Sequence, residues 1–372
     1  MEIRQLEEHE RQVAIELSDK TFRNHQQKSM GEAFPFIFSQ STIGQSFGAF
    51  HNGELVSFMG LVPSVIKIGE ARLNVFSLGS VCTAEDFRKK GIASQILERV
   101  FEYIDSSDAS LLLVSGDRSL YTRVNCCHFG SVSKFNVQFE NIHEKSDSQI
   151  RELQKEDLFQ MNQIAQQRLI SYDQSVTDLQ TMIHAEAFAS CLNLTHKTLI
   201  LDKDNKVSSF LVLGVPDRQR REQKGKMIEW AGNPNEIKDL LSYAIKAYDL
   251  EEIEVAVPWH EQLLENELKG SGSTFTLEKN EGTIYIINPE RFLKQLNPYL
   301  KSKHFEPIEC KYTDREHIQV SSTNMTTTIH SKDFVSFVFD SQPNNPEILE
   351  LQNDFRDILP IPFPYTAGLN FI

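Results

Sequence analysis

The sequence predicts a mixed α/β fold of the α+β kind, in which one unit occurs twice and a small α+β lobe closes the chain. Three observations carry that expectation. The first is a strand, a basic glycine turn and an amphipathic helix in direct succession over residues 73–104. The second is Leu111-Leu112-Leu113-Val114, a continuous apolar run expected of a strand buried on both faces. The third is an internal echo. Residues 197–213 repeat the layout of residues 47–61, with Ser209-Phe210 standing where Ser57-Phe58 stands and Pro216 following as Pro63 does.

The first observation has a chemical consequence. Leu73, Val75, Phe76, Leu78 and Val81 are apolar and partly β-branched, which favours a strand ending near Thr83. Ile92, Ala93, Ile96, Leu97, Val100, Phe101 and Ile104 then recur at helical spacing. Arg88, Lys89, Lys90 and Gly91 lie between them. The first turn of a helix carries unpaired N–H groups and the positive end of its dipole. Cations and a glycine that admits close backbone approach make such a turn a site for a pyrophosphate. It is neither Gly-x-x-x-x-Gly-Lys-Ser/Thr nor Gly-x-Gly-x-x-Gly, because only one glycine is present. A solvated basic helix start is the plain alternative.

Length and composition set the outer bounds. At 372 residues the chain exceeds one ordinary core, so two or three domains are expected. Hydrophobic residues at 40% and charged residues at 24% describe globular material rather than disorder. A formal charge of −14 argues against nucleic acid and suits a cationic or amine substrate. The five cysteines are an odd count with no Cys-x-x-Cys pair, and adjacent Cys126-Cys127 is poor geometry for zinc. The expectation is no metal, and reduced thiols in a cytoplasm. Met1 to Arg4 opens an acidic stretch rather than a signal peptide, and no apolar run reaches the length of a membrane span.

In chain order, residues 5–24 read as a surface helix and Phe34 to Phe38 as an apolar patch. Asn52-Gly53 between apolar runs predicts a hairpin, and Pro63 with Gly69 predicts a further turn. Ser115-Gly116-Asp117 ends the buried strand. Phe135, Val137 and Phe139 alternate and read as the closing strand of the first unit, and Ser146 to Glu156 as a linker. In the second copy Met227 to Trp230 is a strand, Pro234 starts a helix, and Ile253 to Val257 is a strand. Between Trp230 and Ile237 there is no Arg or Lys, and Glu236 near the helix start repels a pyrophosphate. The second copy is therefore structural or shapes an acceptor pocket. From Asn288 the pattern shifts: a short helix over Pro289 to Leu296, polar strands around Ile318 to Val320, then an aromatic-rich stretch from Phe334 to Phe339. The prolines of Leu359 to Tyr365 require extended chain, and the apolar end at Ile372 is expected to dock. The division predicted is 1–145, 146–288 and 289–372.

Arg88-x-x-Gly91-x-Ala93 after Val81-x-Thr83 resembles the acetyl-CoA motif of the GNAT acetyltransferase superfamily. Tyr121 resembles the family's second signature, a Tyr four residues before Gly-Phe; here Asn125-Cys126 stands in that place. Asn tolerates positive φ, so the same turn is expected. The whole layout is similar to the enhanced intracellular survival type of aminoglycoside acetyltransferase. That resemblance implies an active GNAT domain, a degenerate GNAT-like domain and a sterol-carrier-like lobe.

The implied activity is transfer of acetyl from acetyl-CoA to a primary amine of a small substrate, polyamines among the candidates, by direct attack in a ternary complex. Backbone N–H groups of Lys89, Lys90, Gly91, Ile92, Ala93 and Ser94, with Arg88, would hold the pyrophosphate. The strand edge at Val81, Cys82 and Thr83 would orient the pantetheine. By resemblance, the Val81 N–H is the oxyanion donor, and Gly116 and Asp117 lie beside the cofactor. Tyr121 would protonate the leaving thiolate, and the terminal carboxylate of Ile372 would be the base. The plain alternatives are a Tyr buried for packing and a tail that packs on the surface. Cys82 is disfavoured as a nucleophile, Cys126 and Cys127 read as small hydrophobes, and His128 as a structural histidine. Partners expected are a small-molecule amine, with no nucleic acid and no membrane; a homo-oligomer is left open. The competing function is a non-catalytic acyl-CoA-binding sensor or regulatory protein.

Overall fold

The computed structural model describes residues 1–24, 27–141, 149–204, 206–216, 224–304, 308–314, 316–321 and 326–372. The chain divides into two compact units. The first is Met1–Gly130 with Glu281–Ile361 and Ile372; the second is Ser131–Asn280 with Pro362–Phe371.

The first unit opens with β1 (Glu2–Gln5), a 3₁₀ turn at Glu8–Glu10 and α1 (Arg11–Phe22). Arg4 grips Glu10 through both terminal nitrogens, at 2.8 and 2.7 Å, so β1 is tied to the start of the helix. Two one-turn helices, α2 (Met30–Ala33) and α3 (Pro35–Phe38), bury Ile37 and Phe38. The hairpin of β2 (Phe47–His51) and β3 (Glu54–Ile68) turns on Asn52 and Gly53, at φ of 53° and 86°, as a type I′ turn requires. β4 (Ala71–Thr83) follows, then α4 (Ile92–Ser106), β5 (Leu111–Val114) and the short α5 (Ser119–Thr122). The sheet runs β1-β2-β3-β4-β5 and is closed by the strand Thr283–Ile286, antiparallel to β5; β4 and β5 are the parallel pair. α4 lays Ile92, Ile96, Leu97, Val100 and Ile104 into one core with Leu61, Leu78 and Leu112. Their spacing is the helical stripe read from the sequence.

The second unit contains β6 (Val132–Gln138), β7 (Gln149–Glu152), α6 (Leu158–Gln166), β8 (Ile170–Tyr172), α7 (Val176–Ala185) and α8 (Ala187–Cys191). It continues with β9 (Leu194–Lys203), β10 (Lys206–Pro216), β11 (Gly225–Ala231), α9 (Pro234–Ala247), β12 (Glu252–Pro258), α10 (Gln262–Gly270) and β13 (Thr274–Glu278). Its sheet order is β13-β6-β12-β11-β10-β9-β7. Read from β7, its first six strands repeat the order of the first sheet, and β13 is added beyond β6. The parallel step falls at β11-β12, with α9 as its crossover, as it falls at β4-β5 with α4.

Three sequence expectations are corrected. β6, read as the closing strand of the first unit, pairs with β12 and β13 of the second. The strand that closes the first sheet is Thr283–Ile286, beyond the second copy. Alternation establishes a strand but not which sheet receives it. Ser146 to Glu156 is not simply a linker: residues 146–148 lie outside the described residues, but β7 forms at once after them. Arg151 there grips Asp157 at 2.7 and 2.8 Å, as Arg4 grips Glu10. Pro63 does not end β3, which runs on to Ile68. Pro63 lies past Met59, the last β3 residue paired with β2 when counted from the hairpin, so its missing N–H costs that pairing nothing. The turn expected at Lys203 to Lys206 includes residue 205, outside the described residues.

Beyond Asn288 the first unit carries a helix, Pro289–Ser302, longer than the sequence suggested. An antiparallel three-stranded sheet over Glu309–Tyr312, His317–Ser321 and Thr326–His330 follows, then helices Ser331–Phe339 and Pro346–Asn353. Phe334 and Phe339 are fully buried, which accounts for the aromatic-rich stretch.

Candidate active site

The site begins where two strands part. β4 and β5 are paired from Val75–Leu111 to Leu78–Val114, and there β5 ends. β4 runs on through Gly79 to Thr83 with its other edge held by β3, Gly60 facing Gly79 and Ser57 facing Thr83. One backbone edge is thereby left without its β5 partner. A cleft of about 680 Å³ opens along it, lined by Gly79 to Thr83, Ser115, Gly116 and Arg118 to Tyr121. That is the size range of cofactor sites. Between the Gly60–Gly79 and Phe58–Cys82 pairs, Met59 alone faces both Ser80 and Val81. This is a β-bulge, and Ser80 sits in it at φ 52°.

The basic turn follows Thr83. A single 3₁₀ turn over Glu85–Phe87 leads into Arg88, whose Nε donates to the Thr83 carbonyl at 3.0 Å. Lys90 stands over the Phe87 ring at 5.0 Å. Lys89 and Gly91 both take positive φ, 60° and 76°. Positive φ at alternate residues turns their backbone N–H groups to one side, as in an anion-binding turn. Gly91 caps α4, and the first helical hydrogen bond is from the Gln95 N–H to the Gly91 carbonyl at 3.2 Å. The N–H groups of Ile92, Ala93 and Ser94 precede it in the helix. Lys89, Lys90 and Ser94 are exposed, whereas the Ile92 side chain is in the core.

Tyr121 lies on the cleft wall on α5, with its ring edge near Gly116, and is buried. Burial pushes its phenol up to about 12, partly offset by the Arg118 guanidinium. It therefore stays protonated across the physiological range. The turn after it closes as the motif predicts: Asn125 takes φ 67°, and the Cys126 N–H returns to the Tyr121 carbonyl at 3.1 Å. Cys82 also lines the cleft, but burial pushes its thiol up to about 11, and Ser18 Oγ is 3.8 Å away. Cys126 is likewise pushed up to about 12 and Cys127 to about 11, both by burial. Neutral thiols are poor nucleophiles. His128 faces the Gly282 carbonyl through Nδ1 at 3.1 Å.

The chain terminus reaches this wall. A Cβ built on Gly79 would lie 2.6 Å from the carboxyl carbon of Ile372 and 2.7 Å from its oxygen. Only a glycine leaves room for the carboxylate there. The facing glycine does the same for Ile37, whose Cγ2 would be 2.6 Å from a Cβ on Gly60.

Of the residues singled out from sequence, Val81, Cys82, Thr83, Arg88, Ala93, Gly116 and Tyr121 all line one cleft. Lys89, Lys90, Gly91, Ile92 and Ser94 form the turn and helix start beside it. Asp117 adjoins Gly116 with its carboxylate mostly exposed, 3.8 Å from His128 Nε2. Sequence reasoning missed Gly79, Ser80, Arg118 and Arg123, which also line the cleft. The two arginines flank Tyr121 closely enough that their charge could have been noticed. Nothing in sequence marks Gly79 or Ser80. In the second unit the matching helix start is occupied from within: Glu236 takes Lys203 as its ion-pair partner and accepts from the hydroxyls of Ser208, at 2.7 Å, and Ser209. Among the described residues no cluster of His, Cys, Asp or Glu is arranged to hold a metal ion, and no helix is long and apolar enough to cross a membrane.

Residues 2–127 match the family model described as an acetyltransferase (GNAT) domain. Among solved structures, a GCN5-related N-acetyltransferase from Anabaena variabilis superposes with a TM-score of 0.68 at 11% identity, covering 99% of this chain and 98% of that one. Eis1 from Mycobacterium abscessus gives 0.62 at 10% identity over 94% and 95%. A protein of unknown function from Enterococcus faecalis, described as a probable N-acyltransferase, gives 0.60 at 11% over 79% and 74%. At these identities the likeness speaks for the fold. No curated protein matches the sequence. Cleft, basic turn and family match agree for the first unit: residues 2–127 are a GNAT acetyltransferase domain, and the chain as a whole shares the fold of GCN5-related N-acetyltransferases, Eis1 among them.

Proposed function

We propose that the chain is an acetyl-CoA-dependent N-acetyltransferase that acetylates a primary amine of a small, amine-bearing substrate by direct attack within a ternary complex. The observation that carries this reading is the free edge of β4 from Gly79 to Thr83. It runs from the wall against which the Ile372 carboxyl rests to the basic turn at Arg88 to Gly91. In this reading Lys89 to Ser94, with Arg88, hold the pyrophosphate, and the edge of Val81, Cys82 and Thr83 takes the pantetheine amides as an added strand would. Gly116 and Asp117 flank the cofactor, and Arg118 and Arg123 add positive charge to the cleft. The Val81 N–H faces the developing oxyanion.

The proton inventory assigns two further roles. The terminal carboxylate of Ile372 accepts the proton of the attacking amine. Tyr121 serves the departing sulfur. A free thiol ionises near about 8.5, well below the Tyr121 phenol at about 12, so complete proton transfer to the thiolate is uphill. Tyr121 thus acts first as a hydrogen-bond donor that stabilises the thiolate. The first sheet and its helices take the catalytic role, the second copy that begins with β6 is degenerate, and the residues from 289 are a sterol-carrier-like lobe, in a cytoplasmic enzyme without nucleic-acid or membrane partners. The test is thiol release from acetyl-CoA against a panel of amines, with calorimetric binding of acetyl-CoA in parallel. Tight binding with no amine-dependent thiol release favours an acyl-CoA sensor or regulatory protein instead.

A further inference from the structure

Ser80 combines two costs at one position. It is a non-glycine residue at φ 52° inside a strand, in the left-handed place of a bulge where glycine is usual. Its hydroxyl oxygen is shielded from solvent and has no hydrogen-bond partner among the described residues. Left-handed backbone is strained for an L-residue, and a buried hydroxyl without a partner adds a second cost. Glycine at position 80 would remove both, and glycine already occupies position 79. Packing therefore gives no reason for this side chain.

Its surroundings supply one. Ser80 lines the cleft. On one side is Gly79, against which the Ile372 carboxyl rests; on the other is Val81, at the free edge of β4. Resting on the acyltransferase reading above, we propose that the Ser80 hydroxyl is a direct contact for the acceptor. A rotation about χ1 to another staggered well turns Oγ to the cleft. There it accepts a hydrogen bond from one N–H of the attacking neutral amine. The nitrogen lone pair stays free for the thioester carbonyl carbon, and a second N–H is left for the Ile372 carboxylate. No proton is transferred to Ser80. The side chain that is unsatisfied in the empty cleft gains its partner when substrate arrives, and its strain fixes where that partner must sit. The substrate class this selects is an unhindered primary amine, because a secondary amine lacks the second N–H.

The experiment uses the full chain with Ser80→Ala and Ser80→Gly, measuring initial rates against amine concentration at saturating acetyl-CoA, acetyl-CoA affinity by calorimetry, and melting temperature. Both variants are expected to lose about tenfold or more in kcat/KM for the amine, as one lost hydrogen bond predicts. Acetyl-CoA affinity should stay within about twofold on the same grounds, since the cofactor keeps its own contacts. Ser80→Gly should melt no lower than the parent, since the strain is relieved. Ser80→Gly turning over at the parental kcat/KM overturns the proposal. So does equal turnover of primary amines and their N-methyl derivatives. Failure of the acyltransferase reading itself is seen separately, in the parent chain, as no acetyl-CoA binding or no thiol release with any amine; it takes this proposal down with it.

Discussion

The carboxyl carbon of Ile372 rests against the α-carbon of Gly79, so closely that a methyl group on that glycine would lie 2.6 Å from it. The contact joins the last residue of the chain to the strand position where β4 leaves β5. Gly79→Ala therefore has two routes: the core absorbs about 1–3 kcal/mol of overpacking, or the terminus moves away. If the terminal carboxylate is the base, either route should lower kcat by an order of magnitude or more. Acetyl-CoA affinity should change little if the turn and the outer strand edge hold the coenzyme, as proposed. A double-mutant cycle with deletion of Ile372 is the sharper measurement. Once the terminus is gone, Gly79→Ala should cost almost nothing further. Independent, multiplying losses would mean that the glycine serves something other than the carboxylate.

The turn makes a different prediction. Gly91 takes φ 76° and Lys89 φ 60°, and together they turn backbone N–H groups to one side. Gly91→Glu adds a left-handed penalty and a negative charge where a pyrophosphate is expected. Acetyl-CoA affinity should fall by about two orders of magnitude, from roughly 1 kcal/mol of backbone strain and at least as much charge repulsion. Neutralising Arg88, Lys89 and Lys90 together should weaken binding less in high salt than in low, because exposed charges are screened. Arg88 is partly committed already, since it donates to the Thr83 carbonyl. Its loss should also loosen the end of β4. Unchanged affinity in the triple variant would remove the turn from the site.

Much of this site was legible because its signals are local. A β-branched run, three adjacent cations with a glycine and a helical stripe are short-range patterns, and the structure brings the strand end, Arg88 and Ala93 to one cleft with the rest of the turn beside it. The partition of strands was not legible. β6 and the strand Thr283–Ile286 each close the sheet of the other repeat, and side-chain alternation is blind to which edge a strand joins. β7 escaped notice because a four-residue strand with Ile150 as its one apolar residue looks like linker. A signal was there to be found: Ile3-Arg4-x-Leu6 with Glu10 recurs as Ile150-Arg151-x-Leu153 with Asp157. The spacing is set by one ion pair, formed in each copy. Gly79 and Ser80 carry no local signal, since their significance lies in the chain terminus and in a bulge.

Tyr121 offers a test in which activity and stability separate. Burial raises its phenol from the ordinary 10 to about 12. Because the folded state holds the proton more tightly than the unfolded chain, Tyr121 contributes fully below about pH 10, and the contribution is lost as pH rises from 10 toward 12. Tyr121→Phe should therefore lessen the alkaline fall in stability by about 1 kcal/mol between pH 9 and pH 11, read as urea midpoints at those two values. At neutral pH the same variant should bind acetyl-CoA normally and lose about 10²-fold or more in kcat, the usual worth of a positioned proton donor. If Tyr121 serves the departing thiolate, as proposed, acyl donors with a more acidic thiol should narrow that loss. An unaltered kcat would leave Tyr121 a packing residue.

Glu236 tests the second repeat by the opposite sign. Its carboxylate sits at the start of α9 with Lys203, Ser208 and Ser209 as partners, and these hold it below the usual carboxylate range against the opposing effect of burial. A depressed carboxylate stabilises the fold above its ordinary value of 4.5, and that contribution is lost as pH falls through the lowered folded value. Glu236→Gln should thus destabilise the chain at pH 7 and flatten the acid limb of its stability profile. Gln keeps one acceptor oxygen but puts an NH2 donor where the other stood and removes the charge that pairs with Lys203, which costs about 1–3 kcal/mol. The rate of acetyl transfer at 25 °C should be unchanged, because the helix start of this repeat is occupied by its own carboxylate. A variant that instead gained a second acetyl-CoA site, seen as a stoichiometry above one per chain in calorimetry, would show that Glu236 is a plug over a working site. That result would overturn the structural assignment of the second repeat.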